Sequence, residues 1–170
     1  YGVLLGADFA EVLPSLDFNI EYNRVANWTF NQALDRNRYL FNGDLIGGAL
    51  GNDYEQFGFS FKRWFGEYTL LSTNLTYQRQ GEGRVTAEWT APWFDTDGDY
   101  DEPFPTGTVE TTRSASLGFK SFLVNHFYID TEAGINWVDN YHHTDGDDRT
   151  LPFVRLQIST FFSAPVNIAW

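Results

Sequence analysis

The stretch Leu16-Asp17-Phe18-Asn19-Ile20-Glu21-Tyr22-Asn23 alternates apolar and polar residues, and the alternation resumes over Ala26-Asn27-Trp28-Thr29-Phe30-Asn31. Only Arg24 and Val25 interrupt it. Successive side chains of a strand point to opposite faces, whereas a helix could not gather these apolar residues on one side. The stretch therefore predicts one strand over residues 16–31, long for a globular protein, with an apolar face and a polar face.

Six further segments show the same alternation, so that the sequence predicts seven strands in all. They lie at residues 3–9, 57–62, 71–78, 114–120, 127–137 and 155–162. An eighth strand would fit at residues 84–89 or 166–170.

The predicted connections alternate between short and long. The short ones are Pro14-Ser15, Phe65-Gly66-Glu67 and Val124-Asn125-His126, and the long ones run over about residues 32–53, 80–107 and 142–149. Outer-membrane β-barrels have tight periplasmic turns and long extracellular loops. In that arrangement the last strand runs toward the periplasm, so we expect the C-terminus to be periplasmic.

The composition agrees with a sheet that has one apolar and one wet face. Aromatic residues make up 18% of the 170 residues, yet the mean hydropathy is only -0.36. No apolar run approaches the roughly 20 residues of a transmembrane helix, whereas a barrel strand needs apolar residues only at alternate positions. The net charge of -12 argues against a nucleic-acid partner, which requires a basic surface. The absence of cysteine excludes disulfides and thiolate metal sites.

We therefore expect an all-β fold: an antiparallel up-and-down transmembrane β-barrel of the bacterial outer membrane, formed by one region over residues 1–170. Seven or eight strands would come from this chain. Because single-chain bacterial barrels have even strand numbers, we expect it to be part of a larger barrel. A soluble β-sandwich or lipocalin-like barrel shows the same alternation. Periodicity does not tell which face is turned inward, so this alternative stays open.

An acidic segment in the second long connection predicts a cation site. Its carboxylates recur at every second position, at Asp95, Asp97, Asp99 and Asp101. Calcium needs about six to eight oxygen ligands and a sharp turn that gathers them. The sequence therefore offers Ca²⁺ as a cofactor, although the position of the twelfth EF-hand residue falls on Thr106. The alternative is a solvated acidic loop tip.

The first long connection is rich in glycine. It contains Gly43-Asp44-Leu45-Ile46-Gly47-Gly48-Ala49-Leu50-Gly51, and it follows the strand end Trp28-Thr29-Phe30. A later strand end reads Tyr77-Gln78-Arg79-Gln80-Gly81-Glu82-Gly83. Together these segments, within residues 16–83, resemble the capsule-assembly Wzi family of outer-membrane β-barrels. Gly48 departs from the family, whose members often carry His at that point.

The resemblance implies the C-terminal portion of a non-enzymatic surface lectin, which holds capsular polysaccharide or exopolysaccharide at the cell exterior. Its partners would be outer-membrane lipid, surface polysaccharide and other envelope proteins. Aromatic rings that stack on sugars and planar polar groups that hydrogen-bond to them supply the candidate binding residues: Arg38, Tyr39, Asn42, Asp44, Trp89, Trp93 and Phe94. At any single position, the simpler interpretation is a solvated loop residue or a member of the aromatic girdle that outer-membrane barrels place at the membrane interface.

Three other functions remain open. The polar face would line a transport pore, the chain would be a structural subunit of an envelope assembly, or it would be an outer-membrane hydrolase. For a hydrolase, Asp130 and Glu132 supply a carboxylate pair, but a polar wall explains them equally well. No nucleophile motif of the type Gly-x-Ser-x-Gly is present.

Overall fold

The computed structural model describes residues 1–32, 34, 37–46, 50–87, 102–124 and 127–160. These residues form an all-β structure, as the sequence predicts. The strands are β1 (Gly2–Leu13), β2 (Leu16–Val25), β3 (Leu40–Phe41), β4 (Asp44–Leu45), β5 (Tyr54–Phe65), β6 (Thr69–Gln80), β7 (Glu110–Val124), β8 (Phe127–Asp139) and β9 (Arg149–Thr160). A 3-10 turn spans Tyr141–His143. Among the described residues, no helix is long and apolar enough to cross a lipid bilayer.

The seven long strands form one antiparallel sheet. Their order is β1-β2-β5-β6-β7-β8-β9, so each long strand pairs with its sequence neighbours. The short strands β3 and β4 form a separate hairpin in the connection between β2 and β5. The predicted antiparallel, up-and-down order is therefore confirmed. Within the described residues β1 and β9 are the two edges of an open sheet, and the closed transmembrane barrel stays a prediction.

The register aligns the apolar residues of neighbouring strands. Phe18 pairs with Phe61, and their rings stack with centroids 5.0 Å apart. Ile20 pairs with Phe59 in the same way. Since side-chain direction alternates along every strand, these residues share one side of the sheet. We call it the apolar face, and its members on the inner strands include Phe18, Ile20, Tyr22, Phe57, Phe59, Phe61, Leu71, Leu75, Tyr77, Ala115, Leu117, Phe119, Ile129, Ala133, Ile135 and Trp137.

The intervening residues form the opposite side, which we call the polar face. Their members include Asn19, Glu21, Asn23, Gln56, Ser60, Lys62, Ser72, Asn74, Thr76, Gln78, Ser114, Ser116, Lys120, Asp130, Glu132, Asn136 and Arg155. The polar face also contains the glycines that pair across the sheet, among them Gly118 opposite Glu132.

Of the two faces, the apolar one is the exposed one. Leu117 is 67% exposed, whereas its neighbour Ser116 on the polar face is only 9% exposed. In the described part of the chain, the buried apolar side chains are Val25, Tyr54, Val85 and Val138. A soluble β-sandwich covers such a surface with a second sheet, and the described residues contain no second layer. In the described residues the seven long strands therefore form one layer whose hydrophobic side is uncovered.

The structure shortens the strand predicted at residues 16–31. β2 ends at Val25, which pairs with the first residue of β5. The preceding residue, Asp53, has a left-handed φ of 62°, so the chain leaves the sheet there and β2 loses that neighbour. Thr29 then closes a turn, because its N–H and its hydroxyl both donate to the Ala26 carbonyl, at 3.2 and 2.8 Å. The prediction of a strand over residues 26–31 is wrong.

The short connections follow the predicted pattern. β1 joins β2 through Pro14-Ser15, and β5 joins β6 through residues 66–68. The third short connection includes residues 125–126, which lie outside the described residues. Residues 84–87 contain a turn instead of the beginning of an eighth strand, and the other candidate, at 166–170, lies outside the described residues.

Asp53, directly before β5, joins two of the long connections. Its fully buried carboxylate accepts hydrogen bonds from the N–H groups of Gly83 at 3.0 Å and Thr106 at 3.1 Å, and from the Thr106 hydroxyl. Its carbonyl accepts from the N–H of Gly81 at 2.8 Å. A buried carboxylate is stable only where donors replace its hydration, and three donors do so here. Asp53 therefore fixes both ends of the connection between β6 and β7.

Two glycines allow this close approach. A Cβ on Gly81 would lie 2.6 Å from the Asp53 Cγ, and a Cβ on Gly83 would lie 2.7 Å from the Asp53 Cβ. No side chain fits between the Asp53 carboxylate and this backbone. The Gly81-Glu82-Gly83 segment, one of the motifs behind the family resemblance, therefore has a structural role at this junction.

Replacing Asp53 with Asn should lower the free energy of unfolding by about 2 kcal/mol, because the amide nitrogen cannot accept the hydrogen bonds of the lost oxygen. Asn keeps the side-chain size and tolerates a left-handed φ, so the change tests the carboxylate itself. Urea unfolding of the purified protein, followed by tryptophan fluorescence, measures the loss. The control is Asp145→Asn at an exposed loop position, which should cost less than about 0.5 kcal/mol. Equal losses would contradict the role of Asp53.

Candidate functional site

The three long connections gather at one end of the sheet. We call this the loop end, and it comprises the described parts of residues 26–53, 81–109 and 140–148. Asp53 ties the first connection to the second. The third is tied to the second by Asn140, whose Nδ2 donates to the Val109 carbonyl at 3.0 Å, and by His143, whose Nδ1 lies 2.8 Å from the Thr108 carbonyl oxygen. The connections thus form one joined surface.

Buried amides reinforce this end of the sheet. Asn52 and Asn31 are each 1% exposed. The Oδ1 of Asn52 accepts a hydrogen bond from the Phe30 N–H at 3.1 Å, and the Nδ2 of Asn31 donates to the Arg84 carbonyl at 3.1 Å. Each amide therefore joins segments that are distant in sequence. Polar contacts therefore hold the loop end together, beside the buried apolar side chains of Val25, Tyr54 and Val85.

The short hairpin of β3 and β4 carries two of the sequence-predicted binding residues at its tip. Phe41 pairs with Asp44 across the turn Asn42-Gly43, whose φ angles are 50° and 88°. Positive φ at both positions of a two-residue hairpin loop defines a type I′ turn, which favours Asn-Gly. The turn explains why Asn42 and Gly43 stand there. Asn42 and Asp44 are exposed, so both are open to a ligand.

Two more of the predicted binding residues, Arg38 and Tyr39, directly precede the hairpin. Tyr39 stacks on Phe30, with ring centroids 5.1 Å apart and an interplanar angle of 19°. The Tyr39 N–H donates to the Phe30 carbonyl at 3.3 Å, and the side chain remains 46% exposed. Arg38 donates from Nη1 to the Thr86 carbonyl at 3.2 Å. Tyr39 is thus an exposed ring on a firm support, while Arg38 joins the hairpin to the second connection.

A hollow of about 460 Å³ opens beside Tyr39. Its walls include the rings of Phe30, Tyr39 and Tyr54 together with Asn23, whose Nδ2 donates to the Tyr54 hydroxyl at 2.8 Å. Such a wall suits a ligand that has both apolar C–H faces and hydroxyl groups. Sequence reasoning did not select Asn23, Phe30 and Tyr54, because Asn23 and Phe30 are ordinary members of the alternating pattern and Tyr54 lies outside every predicted strand. Of the four predicted residues near the hairpin, this hollow contacts Tyr39.

The remaining predicted residues lie outside the described residues. They are Trp89, Trp93 and Phe94 for sugar binding and Asp95, Asp97, Asp99 and Asp101 for Ca²⁺. Their roles stay predictions. In the part of the chain that the structure describes, no group of three carboxylate or imidazole side chains is placed to hold a metal ion.

Charged side chains on the polar face pair across neighbouring strands. Lys120 lies 3.1 Å from Asp130, and Arg155 lies 2.9 Å from Glu132. Glu132 also accepts a hydrogen bond from the Ser116 hydroxyl at 2.8 Å. Each carboxylate of the hydrolase hypothesis therefore has a basic partner. This geometry favours a polar wall over a pair of carboxyl groups free to transfer protons.

Comparison with known proteins adds no relative. No protein-family model matches the chain, and no curated protein or solved structure is significantly similar to it. The resemblance to the Wzi family therefore rests on its sequence motifs, at residues 28–30, 43–51 and 77–83. Of these, Trp28-Thr29-Phe30 does not end a strand, because β2 ends at Val25.

Asp147, in the third connection, forms a two-point contact with Arg149. Its carboxylate accepts hydrogen bonds from Arg149 Nε at 3.0 Å and Nη2 at 2.7 Å. These hydrogen bonds hold the pKa of the Asp147 carboxyl below its usual value. The contact therefore holds the loop at pH values above the usual carboxyl range and is lost as the pH falls through the lowered pKa.

Replacing Arg149 with Gln should raise the pKa of the Asp147 carboxyl toward its usual value, because the charged donor is gone. A ¹³C NMR titration of the side-chain carboxyl measures the change directly. Arg113→Gln is the matched control, since Arg113 pairs with Asp139 at 2.9 Å and does not contact Asp147. An Asp147 titration curve that is identical in the wild type and the Arg149→Gln variant would rule out the assigned cause.

Proposed function

We propose that the chain forms part of the wall of a bacterial outer-membrane β-barrel and that its loop end binds surface polysaccharide. The observation that carries this proposal is the reversed polarity of the sheet, whose apolar face is exposed and whose polar face is sheltered. In water this arrangement leaves a large hydrophobic surface uncovered. In a membrane the apolar face contacts lipid, and the polar face lines a wet interior.

Strand length supports a membrane-spanning role. The strands from β5 to β9 contain 12 to 15 residues, and a tilted transmembrane strand needs about 9–11. Exposed aromatic side chains lie near both ends of these strands, with Phe65 and Tyr68 at the short turns and Trp137 near the loop end. Outer-membrane barrels place aromatic girdles at these two levels.

The sheet edges bear on how the barrel would close. Within the described residues, β1 and β9 each have a neighbour on one side only. Unpaired backbone N–H and C=O groups cost several kcal/mol each in hydrocarbon. A membrane role therefore requires these edges to pair with each other or with further strands. Pairing with further strands would make the chain part of a larger barrel.

Polysaccharide binding is supported by the loop end. Long connections of outer-membrane barrels face the cell exterior, and here they present the stacked rings of Tyr39 and Phe30 beside a hollow. Its largely apolar lining also contains the Asn23 amide and the Tyr54 phenol. Aromatic rings and planar amides are the groups that a sugar-binding protein surface uses. The resemblance of residues 43–51 and 77–83 to the Wzi family points to capsule or exopolysaccharide as the ligand. Other envelope proteins are partners that the resemblance also implies.

A solute channel is the second candidate. The observation that favours it is the paired array of Lys120, Asp130, Glu132 and Arg155, which would line the interior of a barrel. Planar-bilayer recording separates the two functions. Large, steady openings would favour the channel, whereas a silent or rarely opening protein favours a loop end that closes the mouth.

The chain contains no native cysteine, so single-cysteine variants can be spin-labelled at one site each. In proteoliposomes, a label at Leu117→Cys on the apolar face should collide mainly with oxygen, which concentrates in lipid. A label at Ser114→Cys on the polar face of the same strand should collide mainly with a water-soluble nickel complex. Electron paramagnetic resonance power saturation measures both. Water-like accessibility at Leu117→Cys would exclude a lipid-facing apolar side.

Replacing Tyr39 with Ala should weaken binding of the cell's own surface polysaccharide by about fivefold, because one aromatic platform contributes about 1 kcal/mol. Biolayer interferometry on the detergent-solubilised protein measures the affinity. Tyr77→Ala is the control, since Tyr77 is also exposed but lies on the apolar face. If both variants bind as the wild type does, the loop-end site is not where the polysaccharide binds.

A further inference from the structure

A second hollow, of about 380 Å³, lies on the polar face toward the short-turn end. Ser72 and Asn74 of β6 contribute to its wall, together with Gly118 of β7. Gly118 is buried and pairs with Ser72, and a Cβ at Gly118 would collide with the Ser72 hydroxyl. The absence of a side chain at Gly118 therefore keeps this part of the hollow open. The Ser72 hydroxyl and the Asn74 amide line the open space.

The hollow is a positive spot on an acidic chain. Its charged side chains are Lys62, Lys120, Arg155, Asp130 and Glu132, with a net charge of +1, although the chain as a whole has -12. Two ion pairs use Lys120 and Arg155. Lys62 forms no ion pair with any described residue and is exposed. Asp17 pairs opposite Lys62 in the sheet but lies beyond ion-pair distance of its ammonium group, so Lys62 is the cation of this hollow that a bound anion can reach.

Trp64 gives the hollow a flat apolar wall. It lies on the polar face two residues after Lys62, and its side chain is 44% exposed. No other ring of the described residues stacks on it. A large exposed indole on the hydrophilic side of a sheet departs from the alternating pattern. The hollow therefore combines the apolar surface of the indole with the Lys62 ammonium group and with the polar side chains of Ser72 and Asn74.

We infer that this hollow binds a hexuronate residue of an acidic saccharide. The sugar ring stacks on Trp64, its carboxylate pairs with the Lys62 ammonium, and its hydroxyls bond to Ser72 and Asn74. The inference goes beyond the proposed function, because the hollow lies on the polar face toward the short-turn end and is separate from the loop end. A bare phosphate would use Lys62 but not the indole, and a neutral sugar would leave Lys62 unpaired. An acidic sugar uses both.

The test uses the full-length protein in detergent and three probe pairs. The probes are trisaccharides of galacturonate, glucuronate and mannuronate, each beside its carboxyl-reduced, neutral counterpart, and calorimetry measures the affinity. At least one acidic form should bind about tenfold more tightly than its neutral form, as expected for one favourable charge contact. If no acidic form binds more tightly than its neutral form, the inference is overturned.

Variants locate the site. Lys62→Gln should weaken binding of the acidic form about tenfold and leave the neutral form unchanged. Trp64→Leu should weaken both forms, and Trp64→Phe should restore most of the affinity because a ring remains. The matched controls are Arg63→Gln and Trp137→Leu, which lie on the apolar face. Controls should stay within about twofold of the wild type.

Any one of three further results would overturn the site. The first is that Lys62→Gln binds like Arg63→Gln, and the second is that Trp64→Leu binds like Trp137→Leu. The third is that inorganic phosphate displaces the trisaccharide at equal concentration, which would indicate a simple anion site. Circular dichroism shows that each variant retains its strand content.

A parallel measurement with the cell's surface polysaccharide separates this inference from the proposed function. If the polysaccharide binds and the Lys62 and Trp64 variants bind it unchanged, the inference fails and the proposed function stands. If the trisaccharides bind through Lys62 and Trp64 but the polysaccharide does not bind, the proposed function fails and the site stands. Absence of binding to every probe overturns both.

Discussion

Every strand of the sheet has to keep the same set of alternate residues on the same face. Because the side-chain period is two, a slip of one residue between any two strands would move a whole apolar set to the other side. The two irregularities in the pairing lie between Phe9 and Leu13 and between Phe122 and Val124, both close to the short turns. Between them the register continues unbroken, and the ion pairs of the polar face, both hollows and the uncovered apolar face all depend on it.

At the loop end a different constraint acts. The largest fully buried side chains of the described residues are Asn31, Asn52 and Asp53, all polar. Each of these side chains bonds to the backbone of a segment distant in sequence, so together they favour one arrangement of the surrounding backbone. Asp53 does this most directly, since its donors come from both ends of the second connection. The exposed Tyr39 ring is presented on a frame that polar contacts hold together.

Local pattern was a good guide wherever the chain has a neighbouring strand with which to pair. The alternation predicted the seven long strands, their antiparallel order and the Pro14-Ser15 turn, because strand periodicity is written into neighbouring residues. It failed over residues 26–31, which alternate equally well. There the chain lacks a neighbour beyond Val25, since Asp53 turns the next strand away, and alternation does not report whether a neighbour exists. Tyr39 was found as an exposed aromatic residue, but its support by Phe30 was not visible in the spacing.

The sequence by itself determined which residues share a face and how short and long connections alternate, since both follow from the order of residues along single strands. Only the tertiary structure decided which face is sheltered, because that depends on how seven strands lie together. It also decided the contacts of the loop end and of the second hollow. Asp53 and Thr106 are 53 positions apart, and Trp64 and Gly118 meet at one hollow only because β5, β6 and β7 are paired in register. No local pattern encodes contacts that exist through sheet register.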